Sequence, residues 1–304
     1  MITMDSYITK LVDGMVLSFN KRKPIILDLV LDGGAFNGSY LIGSLLMIKE
    51  MEKRNYIRIK RISACSISTI CALLYYIDKL DIALEIYDRS IQHMKQQHNL
   101  DVFDEIFKII KPHLNEDTYK KINNRMYCSY HNVKKGEKIV RHKYSNAEDL
   151  FETLRRSCHL PYMINNRALY KQKYVDGVTP HKFKDSHKTK ILYIDLYGLD
   201  KMVYAVSCKK ETQNYHRIME GALDIHMFFT KDRNTSMCRF LTDWRFYDSF
   251  YIKLLLEKIL VYYFVFLYIL EKYICDERKR PGITQIYILI AKQINIWYFK
   301  YFCY

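Results

Sequence analysis

Three short segments hold the residue types that could do chemistry. The first is Asp32-Gly33-Gly34-Ala35-Phe36-Asn37-Gly38-Ser39. A glycine pair between a buried strand and a helix leaves backbone N–H groups pointing outward at a positive helix end, where a phosphate or a transition-state oxyanion is well received. A tight strand–helix turn with no ligand would use the same residues. A dinucleotide site fits less well, because Gly33, Gly34 and Gly38 do not have GxGxxG spacing. The second segment is Ala64-Cys65-Ser66-Ile67-Ser68. A nucleophile on a sharp strand-to-helix elbow needs small neighbours two residues away on each side, usually as GxSxG. Here the serine and the small flanks are present and both glycines are replaced, so a buried helix start would also account for it. The third is Tyr174-Val175-Asp176-Gly177-Val178, an acid at the end of an apolar run. Alone, an Asp-Gly pair is an ordinary turn.

The elements around these segments give them an order. The run Ile25-Ile26-Leu27-Asp28-Leu29-Val30-Leu31 follows Pro24 and suits a strand covered on both faces, as in a parallel sheet. It feeds the glycine segment, and residues 40–53 then read as a helix with Leu41, Leu45, Ile48 and Met51 on one stripe. A second strand over residues 56–62 leads into Ser66, and the nearly wholly apolar stretch 69–77 reads as a buried helix. Strand, glycine loop, helix, strand, small-residue turn and buried helix form a βαβ unit with a right-handed crossover. Residues 80–127 read as helical, with a stop near Pro112. Strands are expected at 125–133 and 138–144, and a helix opens at Ser145 with Glu148 as its capping acid. Short strands are expected at 169–175, 191–196 and 202–206, and helix from about 211 to the end.

Taken in this order, the segments resemble the patatin-like phospholipase family. Gly33-Gly34-Ala35-Phe36-Asn37-Gly38 resembles its Gly-Gly-Gly-x-Arg/Lys-Gly oxyanion motif, Ala64–Ser68 stands where that family has GxSxG, and Asp176-Gly177-Val178 resembles its Asp-Gly-Gly/Ala motif. The stretch from Leu154 to Pro161 is similar to the segment that precedes the family's catalytic aspartate. The likeness covers residues 24–200. It implies a three-layer α/β sheet flanked by helices and a Ser66–Asp176 dyad. Asp176 would take the proton as Ser66 attacks an ester carbonyl, and the amides of Gly33, Gly34 and Ala35 would hold the oxyanion. Asn37, Gly38, Ala64, Ser68 and Gly177 would support the motifs. No metal or cofactor is implied, and His159 is expected to be structural. The departures are Ala35 for a motif glycine, Asn37 for the usual basic residue, and Ala64 and Ser68 for the elbow glycines. Any of these positions that needs positive φ should be strained.

The balance of the sequence bounds the partners. The 304 residues carry a formal charge of +15, which favours phosphate-bearing surfaces. The basic residues are scattered, with short clusters at Lys21-Arg22-Lys23, Lys134-Lys135 and Arg278-Lys279-Arg280. Nucleic-acid binding modules gather their charge into a stripe, so a membrane surface is expected slightly ahead of nucleic acid, and the resemblance implies an acyl-lipid substrate. The eight cysteines show no CxxC pair or zinc spacing and are expected to be free thiols. The start of the chain has an early acid and no apolar core, unlike a secretory signal. An intracellular, cytoplasmic protein with peripheral membrane association is expected. Residues 259–270 are uncharged but too few for an ordinary transmembrane helix, so a buried helix is expected first and an interfacial one second. The expected organisation is an N-terminal segment 1–20, a hydrolase domain 21–210 and a helical extension 211–304. The expected activity is hydrolysis of phospholipid or related acyl esters. The alternatives are a weak or inactive relative serving as a membrane-associated binding or scaffolding module, and a basic nucleic-acid-binding protein.

Overall fold

The computed structural model describes residues 4–15, 19, 23–184, 189–198, 201–208, 214–241, 244–274 and 281–303. Of the expected basic clusters, Lys21, Arg22 and Arg278-Lys279-Arg280 lie outside the described residues. The chain folds as an α/β protein around a mixed, mostly parallel seven-stranded sheet flanked by helices. Helix α1 (Met4–Asp13) docks through Ile8 and Val12, one helical turn apart. Strand β1 (Ile25–Leu31) is central, paired in parallel with β2 (Ile57–Cys65) on one side and β6 (Lys190–Ile194) on the other. Its apolar run is buried from Leu27 onward, as a strand covered on both faces requires. The one charge within it, Asp28, is answered by Arg61 of β2, whose Nε donates to Oδ1 at 3.0 Å.

Helix α2 (Gly38–Lys53) crosses from β1 to β2, and α3 (Ile67–Tyr76) leaves β2, buried from Ser68 onward. The stretch expected to be helical from 80 contains α4 (Ala83–Gln97), α5 (Phe103–Ile110) and α6 (Glu116–Ile122). Strand β3 (Met126–Asn132) runs parallel to β2, with β4 (Glu137–Arg141) antiparallel outside it. Helix α7 (Ala147–Ser157) is capped by Asn146, whose side chain accepts from Asp149 N–H at 2.9 Å. The expected cap at Ser145 is therefore one residue out. Strand β5 (Tyr174–Asp176) is shorter than expected and pairs antiparallel with β3.

Two expectations after β6 are corrected. Met202–Val206, read as a strand from its β-branched and aromatic residues, is helix α8. The helical reading of 211 onward holds for α9 (Tyr215–Lys231) but is broken by β7 (Cys238–Phe240), which joins the sheet antiparallel to β6. Helix α9 lies backbone to backbone on α2. A Cβ on Gly43 would stand 1.7 Å from Ile218 O, and one on Gly221 1.8 Å from Tyr40 O, so neither position admits a side chain. Last come α10 (Trp244–Ile274), α11 (Pro281–Tyr298) and a π-helical turn Phe299–Cys303.

The expected burial of residues 259–270 is also corrected. Ile259, Leu260, Tyr262, Tyr263, Phe266, Ile269 and Leu270 are all exposed on α10. The helix is fixed to the rest of the fold instead by Lys253, Glu257 and Glu271, with Phe264, Val265 and Tyr268 beside them. Six cysteines, at 65, 71, 128, 158, 208 and 238, are buried free thiols. Among the described residues, no helix is long and apolar enough to cross a membrane.

Candidate active site

The chain reverses its progression across the sheet at β1, with β2 and β3 to one side and β6 and β7 to the other. In open α/β sheets the crevice at the carboxyl ends of strands near such a point is where ligands bind. The loops that leave β1, β2 and β6 meet there, and they carry the first two chemical segments.

Ser66 sits between the last residue of β2 and the first of α3, at φ 55° and ψ −140°. An L-residue rarely adopts that conformation without compensation, at a typical cost of about 1–3 kcal/mol. The turn is fastened on both sides. Ser66 N–H donates to Ser157 Oγ (3.1 Å), which itself donates to Ser129 O (2.7 Å). Thr69 returns two bonds to Ser66 O, from its backbone N–H (3.0 Å) and its hydroxyl (2.7 Å). The turn thereby holds Ser66 at the carboxyl end of β2, against the start of α3. The adjacent Cys65 is no rival nucleophile, because burial pushes its thiol well above the ordinary range.

Asp176 reaches Ser66 by strand register. Strand β3 pairs Ser129 with Cys65 of β2, and its next residue, Tyr130, with Asp176 of β5. Strand β5 thus takes up the ladder where β2 gives way to the elbow. The approach is tight enough to require Gly177, since a Cβ there would stand 2.2 Å from Ser129 O and 3.0 Å from Cys65 Cβ. The carboxyl group is buried. Its Oδ1 accepts from Val178 N–H at 2.8 Å, and Oδ2 has no hydrogen-bond partner. Burial pushes its pKa up to about 7, against the pull of the Ser66 hydroxyl, the Val178 amide and the Lys138 ammonium. The Ser66 hydroxyl therefore faces the carboxyl closely enough to favour its charged form, although the two have not closed to a hydrogen bond. A carboxylate with a free oxygen and a pKa near neutrality is suited to accept a proton at physiological pH.

The glycine loop lies on the other side of Ser66. A Cβ on Gly33 would stand 3.2 Å from Ser66 Cβ, so loop and elbow are in contact, and Ser68 Oγ–H reaches across to Asp32 O. Gly33 N–H is turned to Asp32 Oδ1 (3.1 Å). Of the three expected oxyanion donors, that leaves the amides of Gly34 and Ala35. Ala35 has φ 44°, so the strain expected from the missing glycines falls here. Ala64 escapes it by lying in the β2 ladder opposite Leu31, and Ser68 by lying in α3.

Asn37 is buried and acts as a tie. Its Nδ2 donates to Leu196 O (2.8 Å) and Lys201 O (3.1 Å), and its Oδ1 accepts from Arg217 Nη1 (3.2 Å). Arg217, fully buried on α9, also donates to Phe36 O (2.8 Å), Tyr204 O (3.0 Å) and Ser207 O (3.2 Å). A guanidinium from α9 thus brings to the loop the positive charge that Asn37 lacks. Its only sequence signal is an arginine on the same helical face as Ile218, Gly221 and Ile225.

Two further charges escaped the sequence reading, both on α10. Lys253 Nζ donates to Asp32 Oδ2 (2.7 Å) and Asp195 Oδ1 (2.8 Å), and Asp32 Oδ2 also accepts from Tyr193 O–H (2.6 Å). Burial pushes Asp32 up, while the Lys253 ammonium pulls it back. Glu257 accepts from Thr179 O–H (2.6 Å) and Lys138 Nζ (2.8 Å), and pairs with His131 Nε2 at 2.7 Å. One helix therefore braces the acid ahead of the glycine loop and the segment behind Asp176. His159, expected to be structural, lies directly behind the acid. Its carbonyl accepts from Asp176 N–H (3.0 Å), and burial holds its ring neutral, pushed down to about 4.

Beyond Ser66 lies a cavity of about 150 Å³, walled by hydrocarbon from α2, α3, α4 and α5, including Ile42, Ile70, Leu74, Ile86 and Ile106. Phe36, Leu100 and Leu160 also line it. The pocket suits an aliphatic chain that ends at the serine. Among the described residues there is no cluster of His, Cys, Asp and Glu that could hold a metal ion. Comparison with protein-family models and with curated proteins finds no match to this chain.

Proposed function

We propose that the chain is a patatin-like serine acyl hydrolase acting on phospholipids or related acyl lipids. The observation that carries this reading is the strained Ser66, set between the free oxygen of a buried aspartate and the opening of an apolar cavity. Ser66 Oγ attacks the ester carbonyl carbon while its proton passes to Asp176 Oδ2. The carbonyl oxygen becomes an oxyanion held by the Gly34 and Ala35 amides, and its acyl chain lies in the cavity. Collapse of that intermediate breaks the ester C–O bond, and the departing alcohol takes the proton from Asp176. Water then attacks the acyl-enzyme with Asp176 again accepting the proton, which releases the fatty acid and restores Ser66.

A fluorophosphonate probe tests this directly. It should label the wild-type protein at Ser66 and leave a folded Ser66→Ala variant unlabelled. Absence of labelling in the folded wild type would remove the nucleophile from the proposal. One observation favours the weaker reading, a membrane-associated relative with little turnover: the Gly33 amide is spent on Asp32, leaving two oxyanion donors. Labelling without measurable release of fatty acid would select that reading.

A further inference from the structure

The two C-terminal helices are amphipathic in the reverse of the usual sense. On α10 the charged Lys253, Glu257 and Glu271 turn inward to Asp32, Thr179 and the Ala168 amide. The outward side carries Ile252, Leu255, Ile259, Tyr262, Phe266 and Tyr273, each more than half exposed. Helix α11 repeats the arrangement. Its buried Asn295 donates to Tyr162 O and Asn166 Oδ1, both at 2.7 Å, whereas Ile286, Leu289, Ile294 and Trp297 are exposed. From Ile252 to Tyr273 and from Ile286 to Trp297 this surface runs for about 32 Å and about 17 Å at the standard rise. So large an apolar face on a folded chain marks an interaction site.

The charges choose the partner. Among the described side chains of α10, α11 and the π-helical turn that follows, every exposed charge is a lysine, at positions 258, 272, 292 and 300, and both acids, Glu257 and Glu271, are buried. Lysines around an apolar helical face match a layer of phosphate headgroups over acyl chains. A protein partner or a second copy would have to bury those ammonium groups or find carboxylates for them. The chain's +15 charge favours the same anionic surface. The surface also adjoins the candidate site. At the end of α11, Phe299 and Tyr298 pack with Phe36, Ile91 and Leu100, three residues that line the cavity beyond Ser66.

We infer that the outward faces of α10 and α11 form a docking surface for an anionic phospholipid bilayer, on which the helices lie flat with the cavity beside the lipid. The docking is read from these two helices. It rests on the acyl-hydrolase reading only for what is delivered, an ester at the lipid surface.

The test is flotation with vesicles of phosphatidylcholine alone or mixed with phosphatidylserine, alongside hydrolysis of a water-soluble short-chain ester. Wild-type protein should float with the anionic vesicles at least about ten-fold more than with neutral ones. The paired variants Leu255→Glu/Ile259→Glu and Ile286→Glu/Leu289→Glu should each lose about ten-fold or more of that binding, and Lys258→Glu/Lys272→Glu should lose the preference for anionic lipid. All three should keep the circular dichroism spectrum and the soluble-ester rate of wild type. The inference is overturned if wild type does not float, if the glutamate variants float as well as it does, or if they merely dissociate a dimer that never binds vesicles. Flotation that depends on these residues in a protein without esterase activity would sink the hydrolase reading and leave the docking surface standing.

Discussion

Replacing Asp176 with asparagine should silence the protein and stabilise it, by an amount that depends on pH. Burial raises this carboxyl from its ordinary 3.8 to about 7. Below 3.8 it is protonated in both the folded and unfolded chain, and the folded state gains nothing from the difference. Between those values the folded chain holds a proton that the unfolded chain has released, so stability falls as pH rises. The slope is about 1.4 kcal/mol per pH unit and ends as pH passes through the folded value. Across the window the loss amounts to about 4 kcal/mol. Asparagine has no such proton to lose, and its oxygen can still accept from the Val178 amide.

The stability difference between Asp176→Asn and wild type should therefore be smallest near pH 4, widen steadily, and level off above about pH 7. Any constant offset from the altered hydrogen bonding drops out of this comparison. Urea unfolding followed by circular dichroism across that range measures it. A difference that does not vary with pH would mean that Asp176 is not held protonated by the fold, and its suitability as a base near neutrality would fall with it. Hydrolysis by the wild type should show the matching acid limb, rising with pH as Asp176 ionises.

Ser66→Gly should abolish hydrolysis yet stabilise the fold by about 1 kcal/mol, as urea unfolding would show, because glycine accepts φ 55° without strain. Arg217→Met removes the guanidinium that serves the buried Asn37 Oδ1 and the part-buried carbonyls of Phe36, Tyr204 and Ser207. It should cost at least about 3 kcal/mol in the same assay, with Arg217→Lys recovering only part, since a single ammonium cannot span the fork. Glu257→Gln removes a negative charge that helps to hold Asp176 up. The acid limb of the hydrolysis profile should move to lower pH, and an unmoved limb would show that Glu257 acts on packing alone.

How far the sequence foretells this site depends on how local each determinant is. Strand β1 and helices α2 and α3 follow from contiguous apolar runs and regular stripes, and Ser66 and Asp176 from the order of segments along the chain. The rest depends on pairing over distance. Strand β7, of three residues, is a strand only because β6 lies beside it. Helix α8 has the composition of a strand and is held as a helix beside the Asn37 loop, where Lys201 O accepts from Asn37. The apolar run of α10 looks like core in sequence, because hydrophobicity alone cannot separate burial in protein from exposure on a docking face. Arg217, Lys253 and Glu257 each serve at least one partner more than seventy residues away, and no local pattern names those partners.

The replaced glycines can be judged position by position. A glycine is needed where the backbone takes positive φ or where another chain segment leaves no room for a Cβ. Ala64 has neither need, being paired in the ladder, and at Ser68 the hydroxyl is used to tie the elbow to Asp32 O. Gly177 has the second need in full and is retained. Ala35 alone of the altered positions meets the first, at φ 44°, and it borders the amides proposed for the oxyanion. The strain is opposed by Arg217, whose bond to the next carbonyl, Phe36 O, and to Asn37 holds the loop from outside. On this argument Ala35→Gly and Arg217→Lys are coupled. Relieving the strain at Ala35 should reduce what the loop loses when the guanidinium is weakened, and a double-mutant cycle should show a non-zero interaction. Additive effects would mean that Arg217 does not hold Ala35 in its strained conformation.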